Sequence, residues 1–539
     1  MGTEGEDGAF IREYGESCGV CNSKKMNVGP NVEPLKISLI LEAIFSNLDL
    51  PELKTSRLVC REWDKVGVTL LGKMALLHVN KLFSSEASEP AEMTPVNDKL
   101  ILRLFISDKF DSSIPEDKKT ELMTRALTLV EKVSDLTREI KFLVGQKEFV
   151  PAFLEGIRML GSTKIKHVGI FRAWGDNSVD TIPAQAYGEL PPQSSLTSLK
   201  FEALSNNQPD ATKNVQYDPV VYCSELLPLI KIWLDSAPNL TSLDVATSFN
   251  PNLEACTKLE VLKFKLFRCC DEHYRDLNVT EMLTQVKDSL IELELCHSVR
   301  TYESMKHIQL EEVPVMLKLT SLTIHAVEVY EIGDFFNEKN FPELTSISLR
   351  NGFPPSSLLT HLNMWTQHGR VHSLTLDMGS DASNVQEFGG EMVDLFPSVK
   401  ALDLRLDMKV FNITDITPPV RDDWIPLWTP ASIRRFMEPF QIWDLQRVNV
   451  SVEVNASALL IDALQAISLL KGDKKVQFDF TWIDDTSDNF SDRVQDMITH
   501  SETFKRVEIK INMAPDIVER LQRIVEASGA PIHFIGKSE

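Results

Sequence analysis

Leu319-Thr320-Ser321-Leu322-Thr323-Ile324, Leu344-Thr345-Ser346-Ile347-Ser348-Leu349, Val371-His372-Ser373-Leu374-Thr375-Leu376 and Val399-Lys400-Ala401-Leu402-Asp403-Leu404 share one pattern, apolar-x-x-apolar-x-apolar. The alternation at the end of each is that of a short strand with one face turned to a core. The pattern recurs at Ile165-Val168-Ile170, Leu196-Leu199-Phe201, Leu240-Leu243-Val245, Leu259-Leu262-Phe264, Leu290-Leu293-Leu295, Leu445-Val448-Val450 and Phe504-Val507-Ile509. From Leu262 through Leu293, Leu322, Ile347 and Leu374 to Leu402 the steps are 31, 29, 25, 27 and 28 residues. A step held this closely marks an internal repeat. Two longer gaps, 199 to 243 and 402 to 448, predict insertions near 202–239 and 405–444.

Helical spacing fills the intervals. Leu226, Leu227, Ile230 and Trp233 precede one strand pattern; Met282, Leu283, Val286 and Leu290 precede another. Leu358, Leu359, Leu362 and Trp365, then Met392, Leu395 and Phe396, then Val494, Met497 and Ile498 repeat the arrangement. Pro238, Pro342 and Pro397 stand just before strand patterns, where a proline stops a helix. One unit is therefore helix, turn, strand, and it cannot bury its apolar face without neighbours. The fold class predicted is α/β: short parallel strands on one side of a curved solenoid and helices on the other. A doubly wound α/β domain also alternates helix and strand, but it calls for longer apolar strands and glycine-rich loops, which are absent. The units resemble the leucine-rich repeats of F-box and ribonuclease-inhibitor-like proteins.

Outside the repeats, residues 1–31 are rich in Gly, Glu, Asn and Ser and predict a disordered tail. A polar stretch from Ser84 to Glu92 places a linker or loop over 82–98. The division expected is a helical motif over 32–81 and the solenoid over 99–539.

In the N-terminal motif, Leu41, Ile44, Phe45 and Leu48 form one stripe of an amphipathic helix. Asp49, Pro51 and Glu52 predict a capped helix restart. Leu53, Val59, Cys60 and Trp63 then give a second helix its apolar face. The run Leu41 to Leu48, followed by Leu53 and by Arg57-Leu58-Val59-Cys60-Arg61-Glu62-Trp63, resembles an F-box over about residues 34–72. The resemblance implies binding to a Skp-type adaptor, and through it to a cullin scaffold and a RING ubiquitin ligase. It implies adaptor contact, or support of the hairpin, for Leu41, Ile44, Phe45, Leu48, Leu53, Leu58 and Val59. Cys60 and Trp63 are expected to pack internally. The repeats would capture a protein substrate, which the sequence does not identify. A leucine-rich-repeat scaffold or inhibitor without a ligase is one alternative, and an enzyme with its site in one of the two insertions is another.

Composition bounds the rest. The formal charge of -22 argues against nucleic acid as the main partner. No apolar run is long enough for a membrane span, and Met1 to Val20 lack the apolar core of a secretory signal. Eight cysteines in 539 residues make no disulfide framework, which points to the cytoplasm or nucleus. No phosphate loop, dinucleotide fingerprint or nucleophile elbow occurs, so no enzyme activity, cofactor or catalytic residue is expected. Cys18 and Cys21, Cys269 and Cys270, His368 and His372, and the acidic run Asp484, Asp485, Asp488 and Asp492 lack metal-site context. Outward strand positions such as Lys200, Asp244, Lys263, Lys265, Glu292, Glu294, Thr323, Ser348, Thr375, Asp403 and Arg405 mix both signs of charge, with no arginine cluster for a phosphorylated motif.

Overall fold

A computed structural model describes residues 38–79, 98–107, 121, 136–144, 149–160, 164–172, 187–203, 227–247, 249–267, 279–298, 308–309, 314–325, 330–331, 336–350, 365–378, 385–408, 428–454, 457–480 and 487–536. The chain divides into two compact units, Met1–Ala75 and Leu76–Glu539. The larger unit therefore begins before the expected linker, with a short strand at Leu77–His78. The expected tail and most of that linker lie outside the described residues.

The smaller unit holds three helices: α1 (Ser38–Phe45), α2 (Leu50–Ser56) and α3 (Arg61–Met74). The restart at Asp49 is present. Asp49 accepts from the Glu52 N–H at 2.8 Å while the Glu52 carboxylate accepts from the Asp49 N–H at 3.0 Å, and Pro51 sits in the first turn. The second helix of the sequence reading is two helices, because the chain turns over Arg57 to Cys60. Val59 and Cys60 lie in that turn, and Cys60 is the exposed N-cap residue of α3 without a side-chain capping bond.

The larger unit carries a sixteen-stranded parallel sheet. Its first half runs β1 (Leu77–His78), β2 (Arg103–Ser107), β3 (Glu139–Val144), β4 (His167–Arg172), β5 (Ser198–Ala203), β6 (Ser242–Thr247), β7 (Val261–Phe267) and β8 (Glu292–Ser298). A two-stranded ribbon, β9 (Ile308–Gln309) with β11 (Tyr330–Glu331), stands apart from it. The main sheet continues with β10 (Ser321–His325), β12 (Ser346–Arg350), β13 (Ser373–Met378), β14 (Ala401–Met408), β15 (Arg447–Val454), β16 (Asp473–Phe480), β17 (Arg506–Ile511) and β18 (Ile532–Gly536). Strand order is strictly chain order. A doubly wound sheet would reverse order at a switch point, so the arrangement is instead compatible with a repeat solenoid. Across both long gaps the flanking strands pair directly, Leu199 with Leu243 and Leu402 with Val448.

Eight helices accompany the strands among the described residues: α4 (Phe149–Leu160), α5 (Leu227–Ser236), α6 (Val279–Val286), α7 (Val385–Leu395), α8 (Pro430–Met437), α9 (Ser457–Ser468), α10 (Ser487–Ser501) and α11 (Pro515–Ser528). From α7 to α11 each helix contacts the next. The helix expected at Leu358 to Trp365 lies outside the described residues, apart from Trp365.

Two devices hold the sheet. The first is a pair of apolar columns. Leu104, Ile140, Val168, Leu199, Leu243, Leu262, Leu293, Leu322, Ile347, Leu374, Leu402 and Val448 stand in register and are buried. The next column, two residues on, starts at Ile106 and Phe142 and ends at Val476, Val507 and Ile532. Full burial of such a side chain contributes roughly 1.5–3 kcal/mol against exposure. The second device is at the strand entries. The carbonyl oxygens of Leu102, Arg138, Lys166, Thr197, Thr241, Glu260, Ile291, Thr320, Thr345, His372 and Lys400 each accept two N–H groups of the next unit, at 2.8–3.2 Å. The Thr197, Thr241, Thr320 and Thr345 hydroxyls donate across the same seam.

The first column ends in a charge. Lys474 pairs with Val448, is buried, and donates from Nζ to the Leu470 carbonyl at 2.7 Å beneath the Phe504 ring. Burial pushes its pKa below the usual lysine value. The unfolded chain then binds more protons than the folded one as pH climbs from that lowered value toward about 10.4, so this group makes stability rise with pH over that window. Denaturant unfolding of the parent and Lys474→Met at about pH 8 and about pH 10 should show the parent gaining on the variant at the higher pH. A constant difference would mean that Lys474 keeps an ordinary pKa.

Candidate functional site

In the smaller unit the seven candidate contact residues fall into two sets. Leu41, Phe45 and Leu53 are 0% exposed. The Phe45 ring meets the edge of half-buried Trp63 at a centroid distance of 5.2 Å. Arg57 Nε to Asp64 at 2.9 Å ties the turn to α3, and Lys73 Nζ to Glu42 at 3.3 Å ties α3 to α1. These groups hold the helices together. Leu58 is 86% exposed, Val59 63% and Ile44 42%, while Leu48 is half-buried.

The turn presents Leu58 and Val59 deliberately in the backbone sense. Their N–H groups bond the carbonyls of Thr55 at 3.0 Å and Ser56 at 3.3 Å, which directs both side chains off the unit. Leu39 and Ile40 on α1 are exposed as well. Cys60, expected to pack, is exposed too. It stands at the start of α3 with extended backbone, φ -162°.

In the larger unit the outward strand positions carry polar groups, as alternation requires. Their charges pair mostly with neighbours. Lys200 Nζ reaches Asp244 at 3.1 Å and Glu202 at 3.2 Å, and Arg103 Nε reaches Glu139 at 2.6 Å. Glu294 Oε1 accepts from the His325 imidazole Nε2 at 3.0 Å and lies 3.4 Å from Lys263 Nζ. His325 chiefly, then Lys263, holds the Glu294 carboxyl down at about 2. Its folded pKa lies below the ordinary glutamate value of about 4.3, so the stability it contributes is present above that value and is lost as pH falls toward 2. Glu294→Gln should flatten the acid limb of a stability-against-pH curve between those limits. An unchanged limb would place the acid sensitivity elsewhere.

A shallow cavity of about 690 Å³ opens on the outward face from β10 to β17. Ser321, Thr323, Ser346, Ser348 and Thr375 line one end, and four cations and two carboxylates line the rest. Arg350, Lys475 and Arg506 belong to it and are not among the outward positions named from the sequence.

No three His, Cys, Asp or Glu side chains converge as a metal site among the described residues. His368 is buried and bonds the Phe341 carbonyl at 2.9 Å, whereas His372 is exposed and bonds the Ser398 carbonyl at 3.1 Å. Cys18, Cys21, Cys269, Cys270 and the acidic run at 484–485 lie outside the described residues. No described helix is long and apolar enough to cross a membrane.

No family model and no curated protein matches the chain.

Proposed function

We propose that this chain is the substrate-receptor subunit of a Skp-cullin-F-box type ubiquitin ligase. In this reading the helices of residues 38–74 are the F-box, and the sheet with its helices is the leucine-rich-repeat solenoid that receives a protein substrate. The observation that carries the reading is the Leu58–Val59 pair. A three-helix unit whose interior is already filled by Leu41, Phe45 and Leu53 still holds two large apolar side chains out in water. An apolar projection with a fixed backbone fits a partner's pocket better than it fits solvation. Its place in the Val-Cys-Arg-x-Trp resemblance adds the partner's identity, a Skp-type adaptor.

The mechanism is proximity. The repeats hold the substrate while the adaptor holds the ligase, which raises the effective concentration of substrate lysines near the charged conjugating enzyme. The chain itself carries out no covalent step and needs no cofactor or metal. Such a receptor works in the cytoplasm or nucleus and binds neither nucleic acid nor membrane.

A pull-down of purified Skp-type adaptor by the intact chain tests the proposal. Stoichiometric capture is the expected result. If the folded chain captures none, the three helices are not an F-box and the scaffold or inhibitor reading replaces this one.

A further inference from the structure

We infer that the outward face of the sheet between β12 and β16 binds an extended acidic segment of a protein partner, with two of its carboxylates meeting Arg350 and Lys475. The inference deepens the receptor reading, on which it rests for its biological use, by naming the chemistry of the substrate.

The starting point is charge left over after pairing. The face mixes signs, but its carboxylates are occupied. Asp377 lies 3.9 Å from Arg405, and Asp403 lies 3.8 Å from Arg447 while accepting from Asn449 Nδ2 at 2.5 Å. Glu508 is held by Arg506 at 2.7 Å. Arg350 and Lys475 have no ion-pair partner among the described residues. In a chain of formal charge -22, the cavity lining still has two cations in excess of its carboxylates.

A second observation is independent of charge. The Arg350 Nε and the Ser348 Oγ are both buried and have no hydrogen-bond partner among the described residues. Buried polar atoms are almost always satisfied, so an orphaned donor pair beside an open cavity marks where a ligand oxygen belongs. A half-buried guanidinium binds a carboxylate with two parallel bonds, and the adjacent hydroxyl can donate a third.

Spacing selects the kind of anion. Arg350 is on β12 and Lys475 on β16, four strands away. Neighbouring strands lie about 4.8 Å apart, and a two-residue offset along the strands brings the separation to about 20 Å. No single small anion spans that distance, and a single phosphate would need its cations to converge. An extended chain advances about 3.3 Å per residue, so two carboxylates about six residues apart reach both sites. The segment then runs across the strands, over the small Thr375 and Ser451 side chains, which leave it room.

The test is fluorescence anisotropy with the full chain and three labelled Ser/Gly peptides. One carries two glutamates about six residues apart, one carries glutamines in their place, and one carries a single phosphoserine. The diglutamate peptide should bind, the glutamine peptide should not, and the affinity should fall as salt is raised. Arg350→Gln and Lys475→Ala should each weaken binding about tenfold. Lys475 is exposed, so its variant folds even if the Arg350 variant does not, and circular dichroism melts confirm which proteins are folded. Binding of the phosphoserine peptide in preference to the diglutamate one, binding indifferent to both substitutions, or no binding up to about 1 mM overturns the inference. Adaptor pull-down on the same preparation separates the two ideas. Capture of adaptor without peptide binding sinks the acidic segment alone, and peptide binding without adaptor capture sinks the ligase reading alone.

Discussion

Leu58→Asp with Val59→Asp is expected to abolish capture of a Skp-type adaptor, with at least a hundredfold loss of affinity, while leaving the fold intact. Burying a large apolar side chain in a partner's pocket contributes roughly 1.5–3 kcal/mol, so the pair carries about 3–6 kcal/mol. Each 1.4 kcal/mol is tenfold in affinity, which sets the hundredfold floor at about 3 kcal/mol. The new carboxylates add a desolvation cost on docking. Stability should move little, because exposed substitutions stay within about 0.5 kcal/mol and the interior of Leu41, Phe45 and Leu53 is untouched. Titration calorimetry against purified adaptor reads the loss, and a thermal melt reads the fold. Unchanged affinity in a folded variant would remove Leu58 and Val59 from the interface, and with them the main support for the receptor reading. The contrast with Phe45→Ala sharpens the test. That change empties the core of the small unit, so it should cost about 3–5 kcal/mol of local stability and lose binding only by unfolding.

The sheet was largely legible because its apolar columns repeat in the sequence. Eleven of the sixteen strands carry the leading apolar residue and the alternation after it. The other five were hidden for separate reasons. At β3 the leading place is Thr137, a buried residue whose hydroxyl donates to the Ile101 carbonyl at 3.1 Å. At β18 it is Gly529, which takes φ +71° to end α11. At β2 the alternation is drowned in the run Leu100 to Ile106, and β1 is only two residues long. At β16 the inward place holds Lys474, so a polarity rule rejects a strand that the backbone accepts.

The candidate sites were legible only in part, because a stripe of apolar residues does not say which of them face inward. Periodicity assigned Leu41, Ile44, Phe45 and Leu48 one face, yet Phe45 is sealed against Trp63 while Ile44 is in water. The turn at Arg57 to Cys60 decides the matter for Leu58 and Val59. Nothing in their residue types announces it, since no glycine or proline marks the break. The Arg350 and Ser348 orphans depend on which carboxylates their neighbours capture, and that is a property of strand register.

Phe336→Ala is the substitution expected to damage the larger unit most. The ring is fully buried and stacks on Trp365 at 4.2 Å, with Phe341, Phe396 and His368 at 5.8–5.9 Å. Phe341 lies just before β12, Trp365 and His368 before β13, and Phe396 before β14, so one side chain joins the entries of three successive strands. Deleting a buried phenylalanine costs about 3–5 kcal/mol. In a sheet whose strands follow chain order, each unit is stabilised mainly by its two neighbours, and a weak junction in the middle uncouples the parts on either side. Urea unfolding followed by circular dichroism and tryptophan fluorescence should therefore change from one transition to two that no longer coincide. Phe534→Ala, a similar loss on the last strand, has no far side to uncouple, so it should fray one end and leave the main midpoint near that of the parent. If both variants unfold in one transition with equal midpoints, the sheet behaves as a single cooperative core, and the nearest-neighbour account of its stability is wrong.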